Sequence, residues 1–206
     1  MNVLLLNGSP KANGCTFTAL CEVEKALNEN GITTEIIHAG GKNTRGCMAC
    51  GKCRQLHICV FDDLVNETAK RFADADGLVI GSPVYYASPN GELLSFLDRM
   101  FYSSFGTDKR MKVGASIVSA RRGGCTSSFD VLNKYFTISG MPVASASYWN
   151  MVHGNTPDEV LQDEEGLQIM RVVGQHMAFL IKSIALGKKE FGLPEREARK
   201  FTNYIR

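Results

Sequence analysis

The sequence predicts an α/β protein in which a parallel β-sheet carries helices on both faces. Five short apolar runs alternate along the chain with segments whose apolar residues recur at helical spacing, an order typical of parallel sheets. The first runs are continuously apolar, as expected for strands that are buried on both faces. Two of the runs lead directly into Gly-Ser-Pro, a turn sequence that predicts loops at the carboxyl edge of the sheet.

The first part of the chain contains two predicted strands and two predicted helices. A strand over 2–6 is followed by a helix over 17–27, which Asn-Gly ends. The second strand covers the β-branched residues 33–37. The stretch 39–60 is irregular and rich in cysteine, and an Asp-Asp pair then begins a helix that ends near residue 73.

The alternation continues through the second part of the chain. Strands are predicted over 77–81, 113–118 and 143–146, with helices between them around 93–101 and 129–136. Right-handed crossovers leave few strand orders for such a sheet, and 2-1-3-4-5 is one of the two common ones.

The last part of the chain is predicted to be helical. A long helical pattern covers 158–186, and the basic, polar stretch 187–206 is interpreted as a C-terminal helical tail. No linker divides the chain, so residues 1–186 are interpreted as one domain, in which 39–60 forms a cysteine-rich insertion loop.

The composition excludes several classes of function. The formal net charge of +2 over 206 residues gives no reason to expect a nucleic acid partner. The first apolar run has no basic segment before it, and no apolar stretch has the length that a bilayer requires, so we expect neither secretion nor a membrane. The chain is therefore expected in the cytoplasm, where its seven cysteines stay reduced rather than forming a disulfide framework.

The loop 7–16, between the first strand and the first helix, has the composition of a phosphate site. Its glycines permit unusual backbone angles, and Ser9 and Thr16 bring hydroxyl groups. The helix that starts near Thr16 presents free N–H groups and the positive end of its dipole. The loop has neither the lysine of a Walker A motif nor the spacing of a dinucleotide fingerprint. A plain turn with helix-capping hydroxyls is the alternative.

Two further loops fall at the same edge of the predicted sheet. Residues 81–86 read Gly-Ser-Pro-Val-Tyr-Tyr after the third strand, and 119–124 read Ser-Ala-Arg-Arg-Gly-Gly after the fourth. The three loops, in this order along the chain, resemble those of the NAD(P)H-dependent FMN reductase and iron–sulfur flavoprotein family. The resemblance extends from the start of the chain to about residue 185. The resemblance implies the flavodoxin-like fold, a three-layer sandwich around a five-stranded parallel sheet, with bound FMN.

The same resemblance implies which residues bind FMN, the phosphate in the first loop and the flavin ring in the other two. They are Ser9, Lys11, Asn13, Gly14, Cys15, Thr16, Pro83, Val84, Tyr85, Tyr86, Ser119, Arg121, Gly123 and Gly124. Arg121 or Arg122 could balance a reduced flavin or attract a nicotinamide phosphate, with a solvated surface as the alternative. For the tyrosine pair, the alternative is packing against the core. The segment 148–154 is expected near the flavin or in a subunit contact, or else as a packed tryptophan with a surface histidine.

Four of the seven cysteines form a compact motif, C-x2-C-x2-C-x5-C, made of Cys47, Cys50, Cys53 and Cys59. Such spacing puts several sulfurs within reach of one centre, which suits a [4Fe–4S] cluster better than zinc. The spacing is similar to that of the iron–sulfur flavoproteins. FMN-only relatives carry a similar segment, so reduced thiols or a redox-labile pair remain the alternative.

The resemblance implies a flavoenzyme in which NAD(P)H reduces FMN, and FMN reduces a quinone, a nitro or azo compound, free flavin or an iron–sulfur centre. The flavin carries this chemistry, so no catalytic side chain is assigned. A flavodoxin-type electron carrier and a thiol-based redox sensor are the alternatives. The partner is then a small molecule or protein electron acceptor, and we expect a homodimer or homotetramer.

Overall fold

The computed structural model describes residues 1–198 and 200–204, and its sheet lies between two layers of helices. The strands are β1 (Asn2–Asn7), β2 (Thr33–His38), β3 (Gly77–Tyr85), β4 (Ser88–Pro89), β5 (Val113–Ala120) and β6 (Met151–His153). The parallel strands lie in the order β2-β1-β3-β5-β6, and β4 pairs antiparallel with the end of β3. If the two-residue β4 is left out and the five parallel strands are numbered along the chain, their order is 2-1-3-4-5. This order confirms the predicted flavodoxin-like α/β fold.

Helices cover both faces of this sheet. They are α1 (Cys15–Glu29), α2 (Cys53–Leu56), α3 (Leu64–Asp74), α4 (Gly91–Ser103), α5 (Cys125–Thr137), α6 (Pro157–Val160) and α7 (Glu164–Phe191). Leu5 and Val79 pack with residues of α1 and α7, whereas Leu6 and Ile80 pack with residues of α3, α4 and α5. Successive strand side chains point to opposite faces, so two buried faces account for the continuously apolar strands.

The fifth parallel strand differs from its predicted position. Val143, in the predicted strand 143–146, makes only an isolated bridge to Gly114. The chain then leaves the sheet, with Tyr148 and Trp149 about half exposed, and returns as β6, which pairs with the end of β5. The prediction was therefore wrong, because the small residues around 144–147 have little side-chain area to hold this edge against the sheet.

The helix α7 contains 18 successive residues with a mean hydropathy of 1.3, so by length and composition alone it could cross a membrane. It is the only such helix among the residues that the structure describes, and the expectation that no stretch reaches this length was wrong. Its buried side chains, such as Met170, Val173 and Met177, pack in the same cluster as α1. Packing in the core therefore accounts for only part of the apolar character of this helix, since 39% of its most apolar stretch is buried while Phe179 and Leu186 are exposed.

The predicted helical tail extends only a short way. The helix continues to Phe191 and ends at Gly192, whose φ of +73° is left-handed, a conformation that favours glycine. Pro194 follows, and residues 193–198 and 200–204 contain no helix. The tail prediction was therefore wrong beyond Phe191, and positions 199, 205 and 206 of it lie outside the described residues.

Candidate functional site

The carboxyl ends of β1, β3 and β5 are neighbours, so the three predicted loops meet at one edge of the sheet. The Gly8 N–H donates to the Gly81 carbonyl at 2.8 Å, which joins the first loop to the second. The Thr16 and Ser119 hydroxyls are hydrogen-bonded at 2.8 Å and buried, which joins the first loop to the third. The structure therefore brings the three loops together as the strand order requires.

Asn7, the last residue of β1, organises the first loop. Its side-chain oxygen accepts from the Ser9 N–H at 3.1 Å, and its side-chain amide donates to the Ala12 carbonyl at 2.9 Å. The Ser9 hydroxyl in turn accepts from the Lys11 N–H at 3.1 Å, and the His38 ring contacts the Ser9 carbonyl at 2.8 Å. Asn7 and His38 were not among the predicted residues, although both stand at strand ends that face this edge.

The first turn of α1 leaves its N–H groups without a side-chain cap. Gly14 is the N-cap residue, no side chain accepts a hydrogen bond there, and the first turn contains no acidic residue. Such N–H groups have no partner within their helix, and the dipole adds positive potential. The predicted alternative of helix-capping hydroxyls is therefore wrong, and the end of α1 is free to receive an anion.

The predicted residues around this helix end fall into two groups. Ser9 and Thr16 are buried, and Thr16 uses its hydroxyl on Ser119, whereas Lys11 and Asn13 are exposed. The Cys15 thiol contacts the Gly154 carbonyl at 3.7 Å, and burial raises its pKa. Thr16 thus joins two loops through its hydroxyl.

The second loop forms a tight hairpin between β3 and β4. Tyr86 and Ala87 have φ angles of +50° and +57°, the two left-handed residues of a primed hairpin turn. This conformation is costly for residues other than glycine, asparagine or aspartate and is concentrated at ligand sites. Tyr85 is 47% exposed and Tyr86 is fully exposed. The alternative that these tyrosines pack on the core is therefore wrong, whereas Pro83 and Val84 are half-buried.

The third loop holds this hairpin in place. Gly124 has a φ of +91°, and a Cβ atom there would lie 2.8 Å from Ala87 Cα and 2.9 Å from a Val84 methyl carbon. The Ser127 hydroxyl donates to the Ala87 carbonyl at 2.7 Å. Arg121, Arg122 and Gly123 are exposed beside this contact. Ser127 was not predicted, because no pattern within its own helix indicates a contact with residue 87.

The end of the fifth parallel strand, β6, contributes a histidine close to a cysteine. Cys125 Sγ lies 3.9 Å from His153 Nε2, and the backbone N–H of His153 donates to the Asp163 carboxylate at 2.6 Å. Burial raises the pKa of the Cys125 thiol. The Tyr148 and Trp149 rings contact one another edge to face at 4.8 Å and are about half exposed. Trp149 is therefore a loop tryptophan that contacts Tyr148, and His153 is exposed, as in the predicted alternative of a loop tryptophan with a surface histidine.

The four clustered cysteines line one pocket at the side of α4. Cys53 is buried, Cys59 is partly buried, and Cys47 and Cys50 are exposed. Burial raises the pKa of Cys53, and the nearby thiolates of Cys50, Cys47 and Cys59 raise it further. The four thiols therefore share one pocket.

The arrangement of these four thiols limits the kind of metal group that they could hold. Among the described residues, no group of three or more His, Cys, Asp or Glu side chains is arranged to hold one metal ion. A [4Fe–4S] cluster takes four thiolates, each on an iron, and four cysteines around one pocket fit that donor set. The Ala49 N–H also donates to Cys47 Sγ at 3.4 Å, a contact of the kind that tunes iron–sulfur centres.

Side chains on one face of α4 contact the cysteine-rich loop along its path from the phosphate loop to this pocket. Glu92 accepts hydrogen bonds from the backbone of residues 41–44, Arg99 contacts the Arg45 carbonyl and Cys59, and Tyr102 accepts from Arg54. The seven residues from Glu92 to Arg99 rise by about 10 Å along the helix. The cysteine pocket is therefore a short distance from the edge where the three loops meet.

Replacing Glu92 with glutamine is expected to lower the free energy of unfolding by roughly 2 kcal/mol at neutral pH, since hydrogen bonds to a charged acceptor are lost. Its carboxylate accepts from the N–H groups of Gly41, Lys42 and Thr44 at 2.7, 2.8 and 2.9 Å. Urea unfolding measures the change. Glu165→Gln is the matched control, since Glu165 is also in the first turn of a helix, α7.

The contribution of Glu92 to the free energy of unfolding depends on pH. Burial tends to raise the pKa of Glu92, but donation from the N–H groups of Thr44, Gly41 and Lys42 outweighs it and lowers the pKa below 4.5. A depressed carboxyl pKa stabilises the fold above the ordinary value, and this contribution is lost as the pH falls through the folded-state pKa. The difference between native chain and Glu92→Gln should therefore shrink in acid, and a constant difference would contradict the assignment.

The comparisons with known proteins agree with this geometry. Residues 1–156 match the family described as NADPH-dependent FMN reductase. An iron-sulfur flavoprotein of Methanocaldococcus jannaschii is 31% identical over 191 residues, which cover 89% of this chain and 99% of that protein. An iron-sulfur flavoprotein of Methanosarcina thermophila is 26% identical over 191 residues, with coverage of 89% and 97%.

A solved structure shares the fold at lower identity. The NAD(P)H:quinone oxidoreductase from Methanothermobacter marburgensis superposes with a TM-score of 0.66 at 20% identity, covering 85% of this chain and 94% of that one. At this identity the likeness concerns the fold alone.

Proposed function

Because the chain belongs to the NADPH-dependent FMN reductase family, we propose that it is an FMN-dependent oxidoreductase that oxidises NADH or NADPH. The electron acceptor is a quinone, an aromatic nitro or azo compound, free flavin or an iron–sulfur centre. FMN supplies the redox chemistry, since it accepts hydride and releases electrons. The chain itself then needs no acid, base or nucleophile, and its residues bind, orient and tune the cofactor.

The observation that carries the proposal is the uncapped N-terminus of α1. Its free N–H groups, together with the loop that Asn7 organises, fit a phosphate ester without a large cluster of lysines. Lys11 is the exposed cation of this loop. Ser9, Asn13, Gly14, Cys15 and Thr16 are the residues that would contact the phosphate through side chains or amides.

The hairpin and the third loop fit the flavin ring. Pro83, Val84 and Tyr85 end β3 at this edge, and a Cβ at Gly123 would meet no atom within 4 Å, so the loop offers open space for a planar group. Backbone N–H groups in such loops can bond the polar side of a flavin and favour its reduced form. Arg121 is exposed here and would balance the negative charge of the reduced ring or attract the phosphate of NADPH.

The cysteine pocket supports a second candidate, an iron–sulfur flavoprotein that transfers electrons without its own NAD(P)H turnover. Cys47, Cys50, Cys53 and Cys59 would hold a [4Fe–4S] cluster, and the two relatives described above carry that name. The near-neutral charge of +2 favours an enzyme over a flavodoxin-type carrier, which depends on charge to dock its partners.

Anaerobic rapid mixing separates these functions. We expect NADH or NADPH to bleach the visible flavin absorption of the protein as purified, far faster than either bleaches free FMN, which is the control. Iron and acid-labile sulfide assays of the same sample determine cluster occupancy, with about four irons per chain expected for a [4Fe–4S] site. Failure of both nicotinamides to reduce the flavin would contradict the enzyme and leave the electron carrier.

A further inference from the structure

A buried guanidinium stands behind the cysteine pocket. Arg99 is only 1% exposed, in the middle of α4. Its Nε donates to Cys59 Sγ at 3.4 Å, and its two terminal nitrogens donate to the Asp63 carboxylate at 2.7 and 2.9 Å. The same nitrogens donate to the Arg45 and Phe61 carbonyls at 3.4 Å each. A guanidinium has five N–H donors, so every donor of Arg99 has an acceptor.

All of these acceptors belong to the cysteine-rich loop or to its junction with α3. The bidentate contact with Asp63 fixes the plane of the guanidinium, and the Phe61 ring lies 5.0 Å from its central carbon. Asp63 also caps α3 by accepting from the Val65 N–H at 3.1 Å. A lysine, with three donors on a single nitrogen, could not reproduce this arrangement. The positive charge is therefore held at a defined position beside one sulfur of the pocket.

We propose that Arg99 and Asp63 set the reduction potential of the iron–sulfur centre in opposite directions, Arg99 raising it and Asp63 lowering it. This inference rests on the proposed cluster. Reduction adds one electron to the centre and breaks no bond, so the reduced form carries one more negative charge. A cation that donates a hydrogen bond to a ligating sulfur favours the reduced form, and the field of a buried charge is strong because the local dielectric is low.

Asp63 acts against Arg99 because its carboxylate is the counter-ion of the guanidinium. Removing the negative charge of Asp63 leaves the positive field of Arg99 uncompensated, which favours the reduced cluster. Asparagine is as good an N-cap as aspartate, so Asp63→Asn keeps the start of α3 intact. Arg99 and Asp63 are thus positioning residues with opposite electrostatic effects, whereas a purely structural role gives both substitutions the same direction of change.

The test is a potentiometric titration of the anaerobically purified protein with dithionite, followed by electron paramagnetic resonance of the reduced cluster. We expect Arg99→Gln to weaken the preference for the reduced cluster roughly tenfold, a midpoint about 59 mV lower for one electron. Asp63→Asn is expected to shift the midpoint upward. Arg45→Gln is the matched control, since Arg45 stands over the same Phe61 ring at 4.8 Å but is exposed and donates to no sulfur in the described structure.

The outcomes distinguish this inference from the proposed function. Native protein without iron overturns the cluster and this inference with it, while NAD(P)H-dependent flavin reduction in the same sample keeps the oxidoreductase. Iron present with unchanged midpoints, or with both variants shifted downward, overturns the roles of Arg99 and Asp63 alone. If the Arg99→Gln protein assembles no cluster, the midpoint of the Asp63→Asn protein alone tests the inference, because only an electrostatic role of Asp63 raises that midpoint.

Discussion

Replacing Gly40 with alanine is expected to weaken FMN binding roughly a hundredfold, which corresponds to about 2.7 kcal/mol. A Cβ atom at Gly40 would lie 2.7 Å from the Gly8 carbonyl oxygen and 2.5 Å from the Ser9 carbonyl carbon, and it would also overlap the Ser9 carbonyl oxygen. These are backbone atoms of the phosphate loop, so no side chain can rotate to relieve the contact. The loop must shift, and its N–H groups then lose the arrangement that the proposed phosphate site requires.

Titration of the apoprotein with FMN, followed by quenching of flavin fluorescence, measures the change in affinity. Gly187→Ala is the matched control, because Gly187 lies inside α7 and a Cβ there meets no atom within 4 Å. The control should keep native affinity and gain about 1 kcal/mol of stability from helix propensity. Thermal unfolding of both variants separates lost binding from lost fold. Native affinity in a folded Gly40→Ala protein would contradict the phosphate site.

The order of the sheet was predictable because it depends on local patterns and on general rules of chain topology. Continuous apolar runs identified β1 and β3, and right-handed crossovers limited their neighbours. The fifth strand was misplaced because β6 has only three residues, and the Asn150 side chain just before it donates to the Ser116 carbonyl at 3.1 Å. A contact across 34 residues leaves no periodic signal.

The three loops of the candidate site were also predictable, since each follows a strand directly. The residues that shape them were missed because their contacts are distant in sequence. Glu92 binds the backbone about 50 residues before it, and Gly40 packs against the loop that begins at Gly8. One indication of Arg99 was present in the sequence, because it is the single cationic residue among the apolar residues of α4. A charge in that position is rarely buried unless it is paired, so a partner could have been expected.

If the chain holds the proposed [4Fe–4S] cluster, replacing Cys53 with serine is expected to reduce the iron content from about four atoms per chain to nearly none. Cys53 is the buried member of the four, at the first position of α2, where it is 8% exposed. Serine has almost the same volume, so the short helix should remain, but a neutral hydroxyl does not replace the thiolate that an iron of the cluster requires. FMN content should stay at the native level, because the pocket that Cys53 lines includes no described residue of the phosphate loop or the hairpin.

Iron, sulfide and zinc assays of anaerobically purified protein, beside its flavin content, test this expectation, with Cys21→Ser as the matched control. Cys21 is partly buried on α1, which packs on the opposite face of the sheet, so its loss should leave the iron unchanged. Equal iron in the Cys53→Ser and native proteins would exclude this thiol as a ligand. A native protein that holds flavin but neither iron nor zinc would leave four reduced thiols. The exposed Cys47 and Cys50 would then be the pair that oxidation reaches first, because accessible thiolates react before buried ones.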